Sequence, residues 1–280
     1  MKIGYLGPEG TFSEEAGRQY CKKLSKNAEL IPFATLHDLL LAAQNNKINE
    51  AVTPIENSVE GTISIVTDML AKEVNLTINQ ELVIPVYHHL IAQKGVNLKE
   101  ITDVISNPPA LDQCKDFLRK KLPGVKLHLS YSTAEAVKNV ALNLEEEGKV
   151  FAAIGTQAAA NLYGLKVVAS KINLKDNQTR FVVLSKFSHK KTGDDKTSIV
   201  FSIAKDRPGG LHDVLAEFAN RSINLTKIES RPSKKSLGEY YFFVDMQGHI
   251  ADKLIGETLK NVKKKTAFFK NLGSYPRFKK

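Results

Sequence analysis

Glycine and hydroxyl side chains gather at four places where a predicted strand gives way to a predicted helix. These places are residues 7–13, 54–62, 132–135 and 155–157. The first N–H groups of a helix have no partner within it and attract anions, and open α/β sheets bind ligands where strands end and helices begin. Ordinary capping explains each place taken alone, since Thr11 and Glu14, for example, have the spacing of a capping box. The four together favour an anion-binding site.

Arg180 is the cation best placed to complete such a site. Ahead of residue 187 the sequence has two other arginines, Arg18 and Arg119, and both lie in charged stretches that we expect to face solvent. Arg180 instead opens the apolar run 181–184. A guanidinium held there requires an anionic partner. That partner is either an internal carboxylate or a substrate carboxylate, and we favour the substrate.

Hydrophobic patterning places these residues in an α/β fold. From residue 1 to 185, short apolar strands alternate with helical stretches. Residues 187–196 (FSHKKTGDDK) are polar and aperiodic, which predicts a linker. After them, the order strand–helix–strand–strand–helix–strand predicts a ferredoxin-like domain.

Charge and composition narrow the class of protein. The net charge is +10 and most of the excess is lysine, which we expect to be solvated and to steer anionic small molecules. A nucleic-acid-binding regulator stays an alternative on charge alone. No apolar run approaches the roughly 18 residues that span a bilayer, and the first strand leads into a glycine loop rather than a signal peptide, so we expect a cytoplasmic protein. The two cysteines form no CxxC pair, and the adjacent His88 and His89 would point to opposite faces of a strand, so we expect no metal.

Residues 207–232 (RPGGLHDVLAEFANRSINLTKIESRP) combine a glycine turn, a helix with one apolar face and a strand. This segment resembles the ACT domain, an amino-acid-sensing module. Its ending, ESRP, is similar to the version attached to prephenate dehydratase, in which phenylalanine binds. The resemblance implies a homodimer or homotetramer with phenylalanine at an ACT interface. The phenylalanine-binding residues that it implies are Gly209, Gly210, Leu211, Asn224, Leu225, Glu229, Ser230 and Arg231.

The chain resembles the prephenate dehydratase family over nearly its whole length. The matching motifs are residues 4–13 (GYLGPEGTFS), 51–61 (AVTPIENSVEG), 132–136 (STAEA), 162–165 (LYGL) and 179–181 (TRF). The resemblance implies a catalytic domain over residues 1–186, built as two lobes like the type II periplasmic ligand-binding proteins. The implied lobes are residues 1–76 with 165–185, and residues 77–164. The linker 187–196 and an ACT domain over 197–280 follow.

The resemblance also implies an activity, the conversion of prephenate to phenylpyruvate, water and carbon dioxide in L-phenylalanine biosynthesis, inhibited by phenylalanine. No cofactor is needed, because formation of the aromatic ring drives the loss of both groups. The implied catalytic residues are Thr179, as donor to the departing hydroxyl, and Arg180, as carboxylate ligand. The implied substrate-binding residues are Thr11, Ser13, Asn57, Ser58 and Phe181. Because a threonine hydroxyl is a very weak acid, Thr179 either relays a proton or stabilises charge on the leaving oxygen.

Residues 106–114 (SNPPALDQC) depart from the family pattern of Ser-His-Pro-Gln ahead of a Gln-Cys pair. Asn107 replaces the histidine and Pro109 the glutamine, so no role of that histidine is carried over. Gln113 and Cys114 do match, and we interpret Cys114 as a small buried helix residue.

Two further alternatives to prephenate dehydratase stay open at this point. They are an arogenate dehydratase, which would use the same motifs on an amine-bearing substrate, and a non-catalytic amino-acid-binding protein. A fused chorismate mutase is not expected, because the sequence has no helix bundle for one.

Overall fold

The computed structural model describes residues 1–24, 27–142, 148–203, 207–234 and 238–279. The chain forms two compact units. The first comprises Met1–Leu39, Val52–Ser64 and Val83–Phe181, and the second comprises Leu40–Ala51, Ile65–Leu82 and Val182–Lys280.

Strands and helices alternate up to residue 185. In chain order they are β1 (Lys2–Leu6), α1 (Phe12–Lys23), β2 (Glu29–Phe33), α2 (Leu36–Gln44), β3 (Glu50–Asn57), β4 (Gly61–Thr62), α3 (Ser64–Lys72), β5 (Thr77–Pro85), β6 (His89–Ala92), β7 (Asp103–Ser106), α4 (Pro108–Gln113), α5 (Lys115–Lys121), β8 (Lys126–Leu129), α6 (Thr133–Ala141), β9 (Phe151–Gly155), α7 (Gln157–Leu162), β10 (Lys166–Ala169) and β11 (Gln178–Ser185). The remaining elements are β12 (Asp195–Ile203), α8 (Gly210–Ala219), β13 (Leu225–Pro232), β14 (Tyr240–Gln247), α9 (Lys253–Lys265) and β15 (Thr266–Pro276).

The strands form three sheets. The first has the order β2-β1-β3-β11-β5, with the short β4 beside β3, and the second has the order β10-β6-β9-β7-β8. The first sheet contains β1 to β5 and β11, and the second contains β6 to β10, because the chain leaves the first sheet after β5 and returns to it at β11. The third sheet, β13-β14-β12-β15, belongs to the βαββαβ part. The predicted α/β class and the predicted ferredoxin-like order are therefore confirmed.

The second sheet is mixed, since β7 pairs in parallel with β8 and β9 while β6 pairs antiparallel with β9 and β10. Its central strands are buried on both faces, because helices cover each side and successive side chains alternate between the faces. Leu90 and Ile154 pack with a cluster that includes Ala110 of α4 and Leu118 of α5. Ile91 and Ala153, the neighbours of those strand residues, pack on the opposite side with helices α6 and α7. The sheet thus holds the starts of α4, α6 and α7 in fixed positions.

The βαββαβ part has a core of its own. Phe201 and Met246 from the sheet pack against Phe218 of α8 and Leu259 of α9. Strand β13 lies at the edge of this sheet, and its residues alternate between half-buried and exposed. Strand β12 begins at Asp195, so the last two residues of the predicted linker are part of the sheet. Among the described helices, none is long and apolar enough to span a membrane.

Candidate active site

Thr179 and Asn57 meet at the ends of two neighbouring strands, β11 and β3. Strand alternation buries Thr179 and Phe181, which are 8% and 1% exposed, and directs Arg180 to the other face. Asn57 ends β3 and is 9% exposed. Its Nδ2 lies 2.9 Å from Thr179 Oγ1. The fold therefore joins two predicted site residues that are 122 positions apart in the sequence.

The amide of Asn57 can take only one orientation. Its Oδ1 accepts hydrogen bonds from the backbone N–H groups of Val59, at 2.9 Å, and Glu60, at 3.0 Å. Because the oxygen is held there, the nitrogen must face β11, where it donates to Thr179 Oγ1. Thr179 Oγ1 thus receives a hydrogen, and its own hydrogen is left to be donated elsewhere.

Two more amides extend this contact. Asn57 Nδ2 also donates to Asn177 Oδ1 at 2.9 Å, and Asn177 Nδ2 donates to Gln113 Oε1 at 2.7 Å. Gln113 Nε2 in turn donates to the carboxylate of Glu60 at 2.9 Å. Asn177 and Gln113 are 2% and 6% exposed. We name Asn57, Asn177 and Gln113 the amide chain.

Sequence reasoning assigned no role to Asn177 or Glu60, and it noted Gln113 only as a family match. Two signals were available. Asn177 stands two residues before Thr179, and Gln113 stands in the matching Gln-Cys pair. Neither signal says that the two side chains touch, because that contact depends on how distant strands and helices pack.

His88 lies beside the amide chain as a neutral imidazole. Burial lowers the pKa of His88 to about 4, against an opposing hydrogen bond with Gln113. The ring of Phe12 packs edge-on against the imidazole, with ring centroids 5.6 Å apart. The ring is therefore uncharged at neutral pH, and it contacts Gln113 without adding a charge to the site.

Arg180 has an internal anionic partner. Its guanidinium NH1 lies 3.7 Å from Oε2 of Glu56, and the Arg180 side chain is 13% exposed. This is the internal ion pair that the sequence left as the alternative to a substrate carboxylate. The binding of a substrate carboxylate by Arg180 stays a prediction.

The hydroxyl of Thr11 caps helix α1. It accepts a hydrogen bond from the backbone N–H of Glu14 at 3.2 Å and donates to the carbonyl of Pro8 at 3.0 Å. The Glu14 carboxylate accepts from the backbone N–H of Gly10 at 2.6 Å and pairs with Arg18. The predicted cap by Thr11 is confirmed, but Glu14 accepts from Gly10 rather than from Thr11, so the reciprocal half of the capping box is not formed. The binding of substrate by Thr11 stays a prediction.

The loop at Gly10 packs closely on the start of α7. Thr156 caps that helix by accepting from the N–H of Ala159 at 2.9 Å, and its hydroxyl donates to the carbonyl of Gly10 at 2.5 Å. Gly10 has a φ of +84°, and a Cβ there would lie 2.9 Å from Ala159 Cβ. Only glycine satisfies both the backbone angle and this approach. Ser13, in the first turn of α1, is 7% exposed.

The N–H groups that follow Ser58 do not begin a helix. Residues 58–60 form a turn, β4 comes next, and α3 begins at Ser64. The N–H groups of Val59 and Glu60 are bonded to Asn57, so the expectation that they hold a carboxylate is wrong. Ser58 itself accepts from the backbone N–H of Gln178 at 2.9 Å, which ties the turn to β11.

Three other expectations can be compared with the structure. Phe181 is 1% exposed, the burial of a core residue, and its contact with substrate stays a prediction. Cys114 is fully buried, as expected, and burial raises the pKa of its thiol to about 12, but it lies at the junction between α4 and α5 rather than within a helix. Asn107 caps α4, where its side chain accepts from the N–H of Ala110 at 3.2 Å.

The comparisons with known proteins agree on one family. The family model described as prephenate dehydratase matches residues 3–189, and the ACT domain model matches residues 197–264. The chain belongs to the prephenate dehydratase family.

Individual relatives of the prephenate dehydratase family match over nearly the whole chain. A bifunctional chorismate mutase/prephenate dehydratase of Aquifex aeolicus is 39% identical over 99% of this chain and 74% of its own. The prephenate dehydratase of Methanocaldococcus jannaschii is 38% identical over 98% of this chain and 97% of its own. The crystal structure of prephenate dehydratase from Arthrobacter aurescens in complex with L-Phe is 32% identical, with a TM-score of 0.88, and covers 99% of this chain and 90% of that one.

The residues that prephenate dehydratases are expected to use for phenylalanine lie at two places in the ACT domain. Gly209, with a φ of +80°, is the N-cap of α8, and Gly210 and Leu211 open that helix. Asn224 and Leu225 stand at the start of the edge strand β13, whose other end carries Glu229, Ser230 and Arg231. Phenylalanine binding by these residues stays a prediction.

Arg231 is tied to helix α3. Its Nε lies 3.3 Å from Oδ1 of Asp68, and Lys234 Nζ lies 2.6 Å from Oδ2 of the same carboxylate. Burial alone would raise the pKa of Asp68, but the hydrogen bonds from Lys234 and Arg231 outweigh it and hold the pKa below its ordinary value. Lys270 adds hydrogen bonds to the carbonyls of Leu70 and Val74 at the end of α3. The ACT domain thus holds α3 at several points.

Proposed function

We propose that this chain removes the ring hydroxyl and ring carboxylate of prephenate together, giving phenylpyruvate, water and carbon dioxide, and that phenylalanine inhibits it. Membership of the prephenate dehydratase family supports this activity. The observation that carries it is the contact between Thr179 Oγ1 and Asn57 Nδ2 at 2.9 Å, because it leaves a buried hydroxyl able to donate to the departing group.

Thr179 acts on the leaving hydroxyl. A threonine hydroxyl is too weak an acid to serve alone as a proton reservoir at neutral pH. The hydrogen bond that it receives from Asn57 polarises it, and its own hydrogen then stabilises the negative charge that develops on the leaving oxygen. The bond between the ring and its carboxylate breaks, and its electron pair enters the ring as hydroxide departs. The hydroxide takes a proton from solvent and leaves as water, and aromatisation makes the loss of both groups favourable.

Arg180 binds a carboxylate of the substrate. Its guanidinium is already oriented by Glu56, with 3.7 Å between the charged atoms. Substrate binding replaces or supplements this partner, so the guanidinium is not left buried without an anion in the empty site. Ser13, Ser58 and Thr11 shape the surrounding loops, and Phe181 lies behind Thr179 on the same face of β11.

The ACT domain makes the enzyme sensitive to its end product. The Arthrobacter aurescens prephenate dehydratase was solved in complex with L-Phe, which supports phenylalanine as the effector. We propose a cytoplasmic homodimer or homotetramer that binds phenylalanine at residues 209–211, 224–225 and 229–230, while Arg231, which the resemblance also implies, acts through its ion pair with Asp68. We also propose the catalytic domain 1–186, with its lobes 1–76 plus 165–185 and 77–164, the linker 187–196 and the ACT domain 197–280.

A single assay tests the activity, the substrate and the regulation. The chain is given prephenate or arogenate, with and without saturating phenylalanine, and the keto acid or amino acid product is measured. We expect turnover of prephenate that phenylalanine suppresses. Turnover of arogenate alone would make the chain an arogenate dehydratase, and turnover of neither would overturn the proposal.

A further inference from the structure

The amide chain donates in one direction only. From Asn57 to Asn177 to Gln113, each side-chain nitrogen faces the oxygen of the next amide, over 2.9 and 2.7 Å. An amide has a donating end and an accepting end of nearly equal size, so each of the three could in principle be turned over. If one is turned over, two nitrogens or two oxygens face each other. The direction must therefore be fixed from the ends of the chain.

One end is fixed by the backbone. The Oδ1 atom of Asn57 receives two backbone N–H groups, from Val59 and Glu60, and this directs the Asn57 nitrogen toward Thr179 and Asn177. The other end is Gln113, which is 6% exposed. Its nitrogen meets the carboxylate of Glu60, with 2.9 Å between Gln113 Nε2 and Glu60 Oε1.

A carboxylate can only accept hydrogen bonds, so Glu60 admits one orientation of Gln113. With the nitrogen of Gln113 held by Glu60, its oxygen must face Asn177, and Asn177 must turn its own oxygen to Asn57. If Gln113 were turned over, Asn177 would have to follow and present a nitrogen to the nitrogen of Asn57. That clash would disturb the amide that bonds to Thr179.

We propose that Glu60 is a positioning residue, which fixes the direction of the amide chain and thereby keeps the Thr179 hydroxyl turned toward the substrate. This inference rests on the proposed dehydratase activity. Glu60 itself is an exposed residue on the turn before β4. Removal of the Glu60 carboxylate should therefore leave the fold intact and lower activity through the orientation of Gln113.

The test is a double-mutant cycle between positions 60 and 113. Glu60→Ala removes the acceptor that holds the Gln113 nitrogen and so weakens the preference for one direction of the amide chain. We expect kcat for prephenate to fall about three- to tenfold, the worth of one hydrogen bond, with KM nearly unchanged. Gln113→Glu puts a carboxylate, which can only accept hydrogen bonds, beside Asn177. The direction of the amide chain then no longer depends on residue 60. We expect that variant to keep measurable turnover. In the Gln113→Glu background, Glu60→Ala should then cost nothing in kcat, or raise it by relieving the repulsion between the two carboxylates.

The outcomes separate this inference from the proposed function. An equal loss of kcat from Glu60→Ala in both backgrounds would mean that Glu60 acts on the substrate directly, and would overturn the inference while leaving the activity in place. A Gln113→Glu chain without turnover would overturn it as well. An unmodified chain that does not convert prephenate would overturn the proposed function and this inference together. Asp116→Asn, a change at an exposed carboxylate on α5, is the control and should alter neither constant.

Discussion

Replacement of Arg231 by methionine should separate the binding of phenylalanine from the inhibition that follows it. Arg231 lies in the segment that the family resemblance assigns to phenylalanine, yet its guanidinium is engaged with Asp68 of α3 at 3.3 Å and with Glu229 at 3.6 Å. Helix α3 begins at Ser64, directly after the turn and strand that follow Asn57. We therefore predict that the ion pair between Arg231 and Asp68 couples phenylalanine binding to inhibition.

The size of the effect follows from the burial of this ion pair. The side chains of Arg231 and Asp68 are 17% and 14% exposed, so the loss of Arg231 removes a charge-assisted bond from a largely buried carboxylate. We expect a loss of about 1–3 kcal/mol in stability, at the lower end because Lys234 still neutralises Asp68. Lys234→Met is the matched control. Lys234 is 68% exposed, and its removal should cost less than about 1 kcal/mol.

The assay pairs calorimetry with turnover. We expect Arg231→Met to bind phenylalanine with little change in Kd, while the concentration for half inhibition rises about five- to thirtyfold, because a coupling free energy of 1–2 kcal/mol is lost. Lys234→Met should change both values by less than twofold. If the affinity for phenylalanine and the inhibition fall in parallel, Arg231 contacts the effector directly and the reasoning is refuted.

Three further predictions follow from single contacts. Gly10→Ala should lower the free energy of unfolding by at least about 1–2 kcal/mol and remove most of kcat/KM, because φ is positive there and the new Cβ would meet Ala159. Gly95→Ala is the control: its φ is similarly positive but its Cβ would have open space, so it should lose only the free energy that the backbone conformation costs. The difference in the free energy of unfolding between the unmodified chain and Asp68→Asn should be constant near neutral pH. The part that comes from the charge of Asp68 should begin to shrink at the ordinary carboxyl pKa of 3.8 and be lost as the pH falls through the lower pKa of the folded chain, because a lowered carboxyl pKa stabilises the fold only while the group is ionised. Cys114 should resist thiol reagents in the folded chain, since it is fully buried and its thiol pKa is about 12, and rapid modification would contradict that burial.

The sequence alone predicted the elements well where local patterns decide them. The strand at residues 2–6 and the order of the last six elements follow from apolar runs, turn residues and helical spacing, which are properties of neighbouring residues. Capping by Thr11 and Ser132 was predictable for the same reason, because a cap involves residues three positions apart.

The site was only partly predictable, because its contacts join distant segments. Asn57 and Thr179 came from motif resemblance, and the structure brings them together. Arg180 was already indicated by its place at the start of an apolar run. The bond between Asn177 and Gln113 joins residues 64 positions apart, and no local pattern encodes it. The turn at residues 58–60 was expected to lead into a helix N-terminus, but Asn57 accepts its N–H groups first, as asparagine side chains often do in turns.

The central claim is that the hydroxyl of Thr179 performs the chemistry on the leaving group. Its most direct test is the turnover of prephenate by Thr179→Val beside Thr179→Ser, with thermal unfolding as the check on folding. Valine keeps the shape of threonine and removes the hydroxyl, so we expect a folded chain whose kcat falls by at least about 10²–10³-fold, while the serine variant keeps much more activity. A folded Thr179→Val chain with nearly unmodified turnover would contradict the account.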